Sequence, residues 1–599
     1  MTTSHPIDAH RYEIPMPTVG IRPIVDRRKL VKHALSDMTM ELAHAVAAVL
    51  REEIKLPNGQ AVECIVPDHC ISTGVEVAST QRQFAQANVG VIISVASGWA
   101  YPLETLSQDS RIPQAIWGFN GTERPGAVYL AALNAAHNQI GVPIFKIYGR
   151  DVQDIGERFV PTDVRERLVT FTRAALAQAL MVGRSYLSIG SVSMGIAGCI
   201  VNEDFYRQYL GMRTEYVDMV EILRRIDHGV YDHDEYQKAV QWVRQWCREG
   251  NDTNPEAMRR TRAQKDKDWE FVTKSTMIVR DLMIGNPKLH TVGFEEEAYG
   301  RNAIIAGFQG QREWTDHYPN GDFTEAMLNS SFDWNGRREP FIVATENDNL
   351  NAVSMLFNHL ISHTAQIFAD VRTYWSPDAV KRVTGHTLTG LASTGIIHLS
   401  NSGPAALDGT GQQTAGNKPA MKPFWQVTDE EMVDCLRATT WQPSLLDQFL
   451  GGGYSSAFIS RGGMPVTMTR VSLIAGLGPV IQIAEGYTVD LPDTVALILT
   501  ERTNPTWPST WFVPILNNTR GFRDVYSVME NWGSNHCALG YGHIGRELIT
   551  LAAILRIPVA SHNVDDKLIF RPSIWGAFGL NDLDSADFRA CGMLGPLHR

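Results

Sequence analysis

The segment Val75–Val95 reads VEVASTQRQFAQANVGVIISV. Its first part, Val75–Ala87, carries apolar residues at helical spacing, and its second, Val89–Val95, is a short apolar run suited to a buried strand. Further strand candidates are Val19–Val25, Ala61–Val66, Gln114–Trp117 and Val142–Tyr148, with helical patterns over Leu30–Leu50 and Pro125–Gln139. This strand–helix alternation predicts βαβ units and a parallel, doubly wound sheet. Pro125 suits the first turn of its helix, where a missing N–H costs nothing.

A second α/β set opens near Val182. The run Ser185–Ile189 leads into a glycine-bearing loop, Gly190–Gly198. Asp218 and Glu221 stand at capping-box spacing ahead of Leu223 and Ile226, which predicts a helix start. Tyr236, Val240, Val243 and Cys247 form an amphipathic stripe, Glu249–Glu256 reads as a loop between two helices, and Ala303–Ala306 and Phe341–Ala344 as buried strands. Beyond about residue 365 strand-like segments crowd together: Ile396–Leu399, Val466–Val471, Val480–Ile483 and Trp511–Ile515, with a helix over Ile544–Leu555. Asp408–Lys418, rich in Gly, Thr and Gln, reads as an exposed loop. The expected fold class is α/β: an N-terminal α/β domain over 1–181, a second α/β domain over 182–364, both doubly wound, and a mostly β C-terminal domain over 365–599.

Composition narrows the classes. With 44% hydrophobic and 20% charged residues, the chain has ordinary globular usage, which excludes disorder, collagen and coiled coil as its main organisation. Lys and Arg number 54 against 65 Asp and Glu, a net charge of −11 that argues against nucleic acid or an anionic membrane as the main partner. The 7 cysteines are scattered, with no CxxC, so reduced thiols in a cytosolic compartment are expected rather than disulfides or structural zinc. The opening MTTSHPIDAHRYEIPMPT has no apolar core and no basic region, so no export signal is read there. The longest apolar stretches, such as Leu42–Leu50, fall far short of the roughly 20 residues that span a bilayer. A soluble, cytoplasmic protein is the expectation.

No nucleotide or nucleophile signature is present. GSVSMGIAG (190–198) lacks the GxGxxG order and the GK[ST] ending, and is best read as a tight strand-to-helix turn. There is no GxSxG elbow and no HExxH helix. PFIVATENDNLNA (340–352) is more informative, because a buried strand there ends in Thr345, Glu346, Asn347, Asp348 and Asn349, and ligands gather at the carboxyl ends of strands in open α/β sheets. Asp348 and Asn349 are both good caps for the next helix. In AQIFADVRTYWSP (365–377), Asp370 sits inside an apolar run and needs a partner, since a carboxylate buried alone is very costly. Arg372 or a divalent cation shared with Glu346 would serve. NWGSNHCALGYGHIG (531–545) adds two histidines, His536 and His543, in a loop ahead of a helix. Two carboxylates and one imidazole form a hard oxygen/nitrogen set suited to Mn²⁺ or Mg²⁺.

Seven motifs then carry a resemblance: WGFNGTERPGAVYLAA (117–132), YLSIGSVSMGIAG (186–198), GFQGQREWTDHYPNGD (307–322), ATENDNLNA (344–352), FADVRTYWSP (368–377), GGGYSS (451–456) and NWGSNH (531–536). Together they resemble the L-fucose isomerase family from about Val19 to the C-terminus. The resemblance implies a cytoplasmic, Mn²⁺-dependent aldose–ketose isomerase of fucose metabolism, assembled as a homohexamer, that also takes D-arabinose. It implies that Glu346, Asp370 and His536 hold the metal, and that Glu346 and Asp370 also act as the catalytic groups that move protons. It places the sugar against Trp99, Gln309, Trp507 and Asn535, with an arginine of GIRPIVDRR, either Arg22 or Arg28, reaching in from a neighbouring subunit. Ser97 and Gly98 ahead of Trp99, and Gln448, depart from the family pattern and bear on sugar preference rather than on the reaction.

The chemistry suits these residue types. A metal chelating O1 and O2 of the open-chain sugar acidifies C2–H and stabilises an enediol, while a carboxylate moves the proton. Two other readings start from the α/β repeats alone: a nicotinamide-linked sugar oxidoreductase, against which the absent GxGxxG speaks, and a non-catalytic sugar-binding module, which the embedded Asp370 disfavours.

Overall fold

Strand β1 (Thr18–Ile24) pairs in parallel with β2 (Cys64–Ile65) on one side and β3 (Val89–Ala96) on the other, and β4 (Gln114–Gly118) and β5 (Phe145–Ile147) complete a sheet of order β2-β1-β3-β4-β5. These strands are buried almost throughout, as parallel strands covered on both faces must be. The computed structural model describes residues 15–400, 405–517, 522–560, 563–579 and 583–599. The first fourteen residues of the stretch read for an export signal lie outside them.

The helices follow the periodicity closely. Lys29–Glu53, Gly74–Gln86 and Gly126–Gln139 form where the apolar spacing predicts them, the second opened by a capping box of Thr73 and Glu76. Pro125 stands one position earlier than expected, as the N-cap of its helix. Ala61–Val66 shortens to the two-residue β2 at the sheet edge. A helix over Thr162–Met181, which no sequence signal singled out, is buried along much of its length.

The second sheet is also parallel. Strands β6 (Ser185–Ile189), β7 (Arg213–Val217), β8 (Ala303–Phe308) and β9 (Ile342–Thr345) take the order β9-β8-β6-β7. Asp218 and Glu221 do not form the expected capping box: Asp218 accepts from Val220 N–H, and Glu221 pairs with Arg224 and Arg225. The helix Asn349–Ser362, which leaves β9, is buried along nearly its whole length and packs against both the second and the third sheets.

The third sheet is antiparallel. It contains β10 (Ile367–Trp375), β11 (Ile396–Ser400), β12 (Pro465–Ile474), β13 (Gly478–Thr488), β14 (Ser509–Pro514), β15 (His536–Tyr541) and the short β16 (Val559–Ala560). Its order is β12-β15-β10-β11-β14-β13-β16, and β12 also pairs with β13, so six strands close into a barrel that needs no free edge. The α/β class, with two parallel sheets and a β-rich C-terminal part, is therefore as expected. Asp408–Lys418 is a correction. Asp408, Thr410 and Gln413 are buried, because Asp408 accepts from the Ser331 N–H and hydroxyl and from Gln413, and only Thr414–Lys418 is exposed. All seven cysteines are buried free thiols. Among the described residues no helix is long and apolar enough to cross a membrane.

The loop after β9 depends on one glycine. A Cβ on Gly307 of β8 would sit 2.1 Å from both the Tyr186 hydroxyl and Asn347 Oδ1, so the loop lies flat on the sheet only because this position is bare. Overpacking of this kind costs about 1–3 kcal/mol. Gly307→Ala is expected to lower the thermal unfolding midpoint. Gly156→Ala, whose added Cβ meets nothing within 4 Å, leaves it unchanged. Equal midpoints for the two variants would refute this account of the loop.

Candidate metal and substrate site

The chain crosses from β9 into the buried helix through Glu346 and Asn347, both in the left-handed region with φ of +60° and +54°. Two successive non-glycine residues there cost of order 1–3 kcal/mol each, strain that the surroundings must over-determine. Asn347 supplies the restraint. Its N–H donates to Phe308 O, its amide donates to Ser188 Oγ at 2.9 Å, and its Oδ1 accepts from the Tyr186 hydroxyl. The result turns the Glu346 side chain into a buried space, where its Oε2 accepts no hydrogen bond.

That oxygen faces His536. The His536 Nε2 lies 3.2 Å from Glu346 Oε2 and 3.2 Å from Asp370 Oδ1. His536 is not in a loop, as the sequence suggested, but is the first residue of β15, directly opposite Asp370 in the antiparallel register with β10. Glycine and asparagine before it masked the strand start. Asp370 does find Arg372, whose Nη1 donates to Oδ2 at 3.0 Å, and still turns its other oxygen to His536. Both partners weighed for it are thus compatible. His543 is elsewhere, bonded to Gly486 O and packed edge-on against Tyr487.

The other imidazole nitrogen, Nδ1, lies 2.7 Å from Asp348 Oδ2. Arg470 Nη1 donates to the same oxygen at 2.6 Å, while Asp348 Oδ1 caps the helix by accepting from Leu350 and Asn351 N–H. Burial alone would raise the Asp348 carboxyl, but Arg470 and His536 hold it well below the usual range. Burial likewise opposes charge on His536, yet Asp348 and Asp370 first, and Cys199 and Glu346 after them, push it well above an ordinary histidine.

Cys199, Asp348 and His536 offer ligand atoms within 4.8 Å of one another, a buried group of a kind that can hold a metal. A cation centred among these three would face the Arg470 guanidinium and a thiol that burial pushes up to about 11. On the other side of the ring, Nε2 looks at two carboxylates, one of them with an unpartnered oxygen. The donor chemistry of that side, two oxygens and one nitrogen, fits a hard divalent cation.

The remaining expected residues divide into two sets. Asn535 Nδ2 is 2.9 Å from His536 Nε2, and the Arg372 guanidinium lies 5.2 Å over the Trp507 ring, so both stand beside the carboxylate–imidazole group. Gln309 Oε1 accepts from Ser191 N–H, and Ser193 N–H donates to Glu346 O, which makes the glycine loop after β6 a wall of the site as well as a turn. Arg28 and Trp99 belong to the first sheet's loops. Arg28 is paired with Asp26 and its side chain is 61% exposed, and Trp99 is 38% exposed. Arg22 is buried and donates to Thr105 O at 2.6 Å.

Sequence reasoning passed over Arg470 and Cys199, and read Asp348 only as a helix cap. The signal for Arg470 was available: a cation inside the strand-like segment Val466–Val471 needs a partner if that strand is buried, by the same reasoning that singled out Asp370.

Models of the L-fucose isomerase first N-terminal, second N-terminal and C-terminal domains match residues 16–183, 184–363 and 399–563. The chain belongs to the L-fucose isomerase family. It is 58% identical over 587 residues to an L-fucose isomerase of Bacteroides fragilis (strain YCH46), covering 97% of this chain and 99% of that one. It is 56% identical over 588 residues to one from Phocaeicola vulgatus, and 55% identical over 584 residues to one from Streptococcus pneumoniae (strain Hungary19A-6), again covering 97% of this chain and 99% of each relative. The enzyme is thus an aldose–ketose isomerase, and the resemblance read from the seven motifs holds.

Two buried acids stand behind Glu346. Burial, and more weakly the nearby Glu346 charge, push Asp322 up to about 8 although Ser455 and Gln311 donate to it. Glu325, which accepts from the Thr345 hydroxyl, is raised well above the usual range by burial, then by Asp322. A carboxyl raised in the folded state gives stability that is complete below its unfolded pKa and is lost as pH rises through the folded value. The window for Asp322 runs from about 4 to about 8. Asp322→Asn should therefore gain stability relative to the parent as pH rises from 5 to 8, measured by thermal unfolding across that range. A constant gap between the two proteins would show that Asp322 is not held neutral.

Proposed function

We propose that this enzyme interconverts L-fucose and L-fuculose, and D-arabinose and D-ribulose, with Mn²⁺ held by Glu346, Asp370 and His536. The observation that carries the reading is the meeting of His536 Nε2 with two carboxylate oxygens at 3.2 Å each, with the far nitrogen tied to Asp348. The substrate follows the names of the relatives. When bound, the cation supplies Lewis acidity that makes C2–H of the open-chain sugar removable. The chain supplies the rest. Glu346, at a strained strand end, and Asp370, shared with Arg372, are the two carboxylates placed to take the proton from C2 and return one to C1 through an enediol. Trp507 offers an apolar face beside them, and Gln309 and Asn535 offer amides to the hydroxyls.

Arg28 and Trp99 stand exposed on the first sheet's loops, which supports their completing a neighbouring subunit's pocket in a homohexamer, and supports Arg28 over the buried Arg22. We place the enzyme in the cytoplasm, in fucose metabolism, with domains over 1–181, 182–364 and 365–599. The three sheets, which span residues 18–147, 185–345 and 367–560, support this division.

Ketose should form from L-fucose and D-arabinose, stop on chelation, and return with Mn²⁺ better than with Zn²⁺, which prefers tetrahedral N/S sites. Glu346→Gln or Asp370→Asn should each lower kcat by about 10²–10⁴-fold or more. Turnover in D₂O should place deuterium at C1 of the ketose, read by NMR. Full activity in a verified metal-free sample, or wild-type rates for both variants, would sink the reading.

Complementation tests the assembly. Inactive Arg28→Ala and Glu346→Gln proteins, mixed and reassembled, should regain part of the activity through hybrid sites. No recovery in verified mixed oligomers would mean that each pocket is built within one chain.

A further inference from the structure

We propose that Arg470 and Asp348 are positioning residues that fix the tautomer and orientation of His536, so that Nε2 is the nitrogen presented to the cation. This rests on the placement of the cation among Glu346, Asp370 and His536, and goes beyond it by naming what makes that histidine a competent ligand.

Both oxygens of Asp348 accept from N–H donors, Oδ1 from Leu350 and Asn351 and Oδ2 from Arg470, so in the 2.7 Å contact of Oδ2 with Nδ1 it is Nδ1 that donates. With Nδ1 committed there, Nε2 is the nitrogen turned toward the two carboxylates and the one left to a cation, which takes the place of its proton on binding, as a ligating histidine with a bonded second nitrogen requires. Asn535 Nδ2 lies 2.9 Å from the same nitrogen. Asp348 cannot swing away, because each oxygen is engaged twice: Oδ1 by Leu350 and Asn351 N–H, and Oδ2 by His536 and Arg470. Arg470 is itself fixed. It is 1% exposed on β12 and donates a second time, through Nη2, to Gly198 O at 3.1 Å. The chain of contacts therefore runs from the glycine loop after β6, through a barrel strand and the start of the buried helix, to the imidazole. The Phe368 ring, 4.7 Å from the imidazole centroid, braces the histidine within the same group.

Asp348 also caps a helix, and the test must separate the two roles. Asn and Ser are both strong N-caps, so Asp348→Asn and Asp348→Ser keep the helix start. Serine removes the contact with Nδ1. Asparagine has one acceptor oxygen where Asp348 has two, so it cannot serve the helix, Arg470 and Nδ1 together. Mn²⁺ affinity, measured by EPR of free Mn²⁺ on the full-length protein, should fall about 10–100-fold in both variants. Far-UV circular dichroism and the metal-free unfolding midpoint check the fold. Arg470→Met should show a similar loss, and Arg470→Lys a smaller one. Glu346→Gln is titrated in parallel: if it binds Mn²⁺ like the parent, the placement of the cation fails rather than the positioning role. If Glu346→Gln loses Mn²⁺ while folded Asp348→Asn and Asp348→Ser stay within twofold of the parent, the inference is overturned. Should the Asp348 variants not fold, the Arg470 pair decides, and parental affinity in Arg470→Met overturns it equally.

Discussion

The carboxylate of Asp348 meets two helix N–H groups, the Arg470 guanidinium and the His536 imidazole, all within hydrogen-bonding distance. A charge this deeply buried persists only when every lone pair is used, and removing one partner of such a group is far more costly than the group is stabilising. The constraint ties three separate parts of the chain together. The helix Asn349–Ser362 can start only here, β12 must bring Arg470 alongside, and β15 must begin with its imidazole turned inward. The second parallel sheet and the barrel are thereby held in one register around the site.

On that frame the two carboxylates arrive by different routes. Asp370 comes from the antiparallel ladder, where pairing with His536 is set by the register of β10 and β15. Glu346 comes from a strand end bent through two left-handed residues, and Asn347 and the bare Gly307 bear the cost of that bend. Strain at such a position is stored where chemistry needs a side chain aimed against the local backbone preference. The raised acids Asp322 and Glu325 lie behind it, a buried layer that keeps negative charge from accumulating next to Glu346.

The legibility of these features in sequence depends on their range. The helices of the first sheet could be read because each buries one stripe at a fixed period, and the parallel strands because both faces are covered. Asp408 could not. Its glycine- and threonine-rich surroundings have the composition of a surface loop, and its burial is decided by Ser331, 77 residues away in sequence. His536 was found as a residue but misplaced as a loop position, since its strand is short and glycines flank it. Arg470 was missed although it obeys the rule that identified Asp370.

Local periods, the family through its ordered motifs, and the residue types of the site were all legible in the chain's order of residues: two carboxylates and an imidazole in segments that are odd for their apolar surroundings. The folded packing alone sets which atoms face one another. It turned Nε2 rather than Nδ1 toward Glu346 and Asp370, assigned Asp348 to the opposite side of the ring, and left Arg28 and Trp99 on an exposed surface. The reason is physical. Periodicity and composition report how a segment buries its own faces, whereas the direction of a hydrogen bond depends on partners brought together from more than a hundred residues away, as the 188-residue separation of Asp348 and His536 shows.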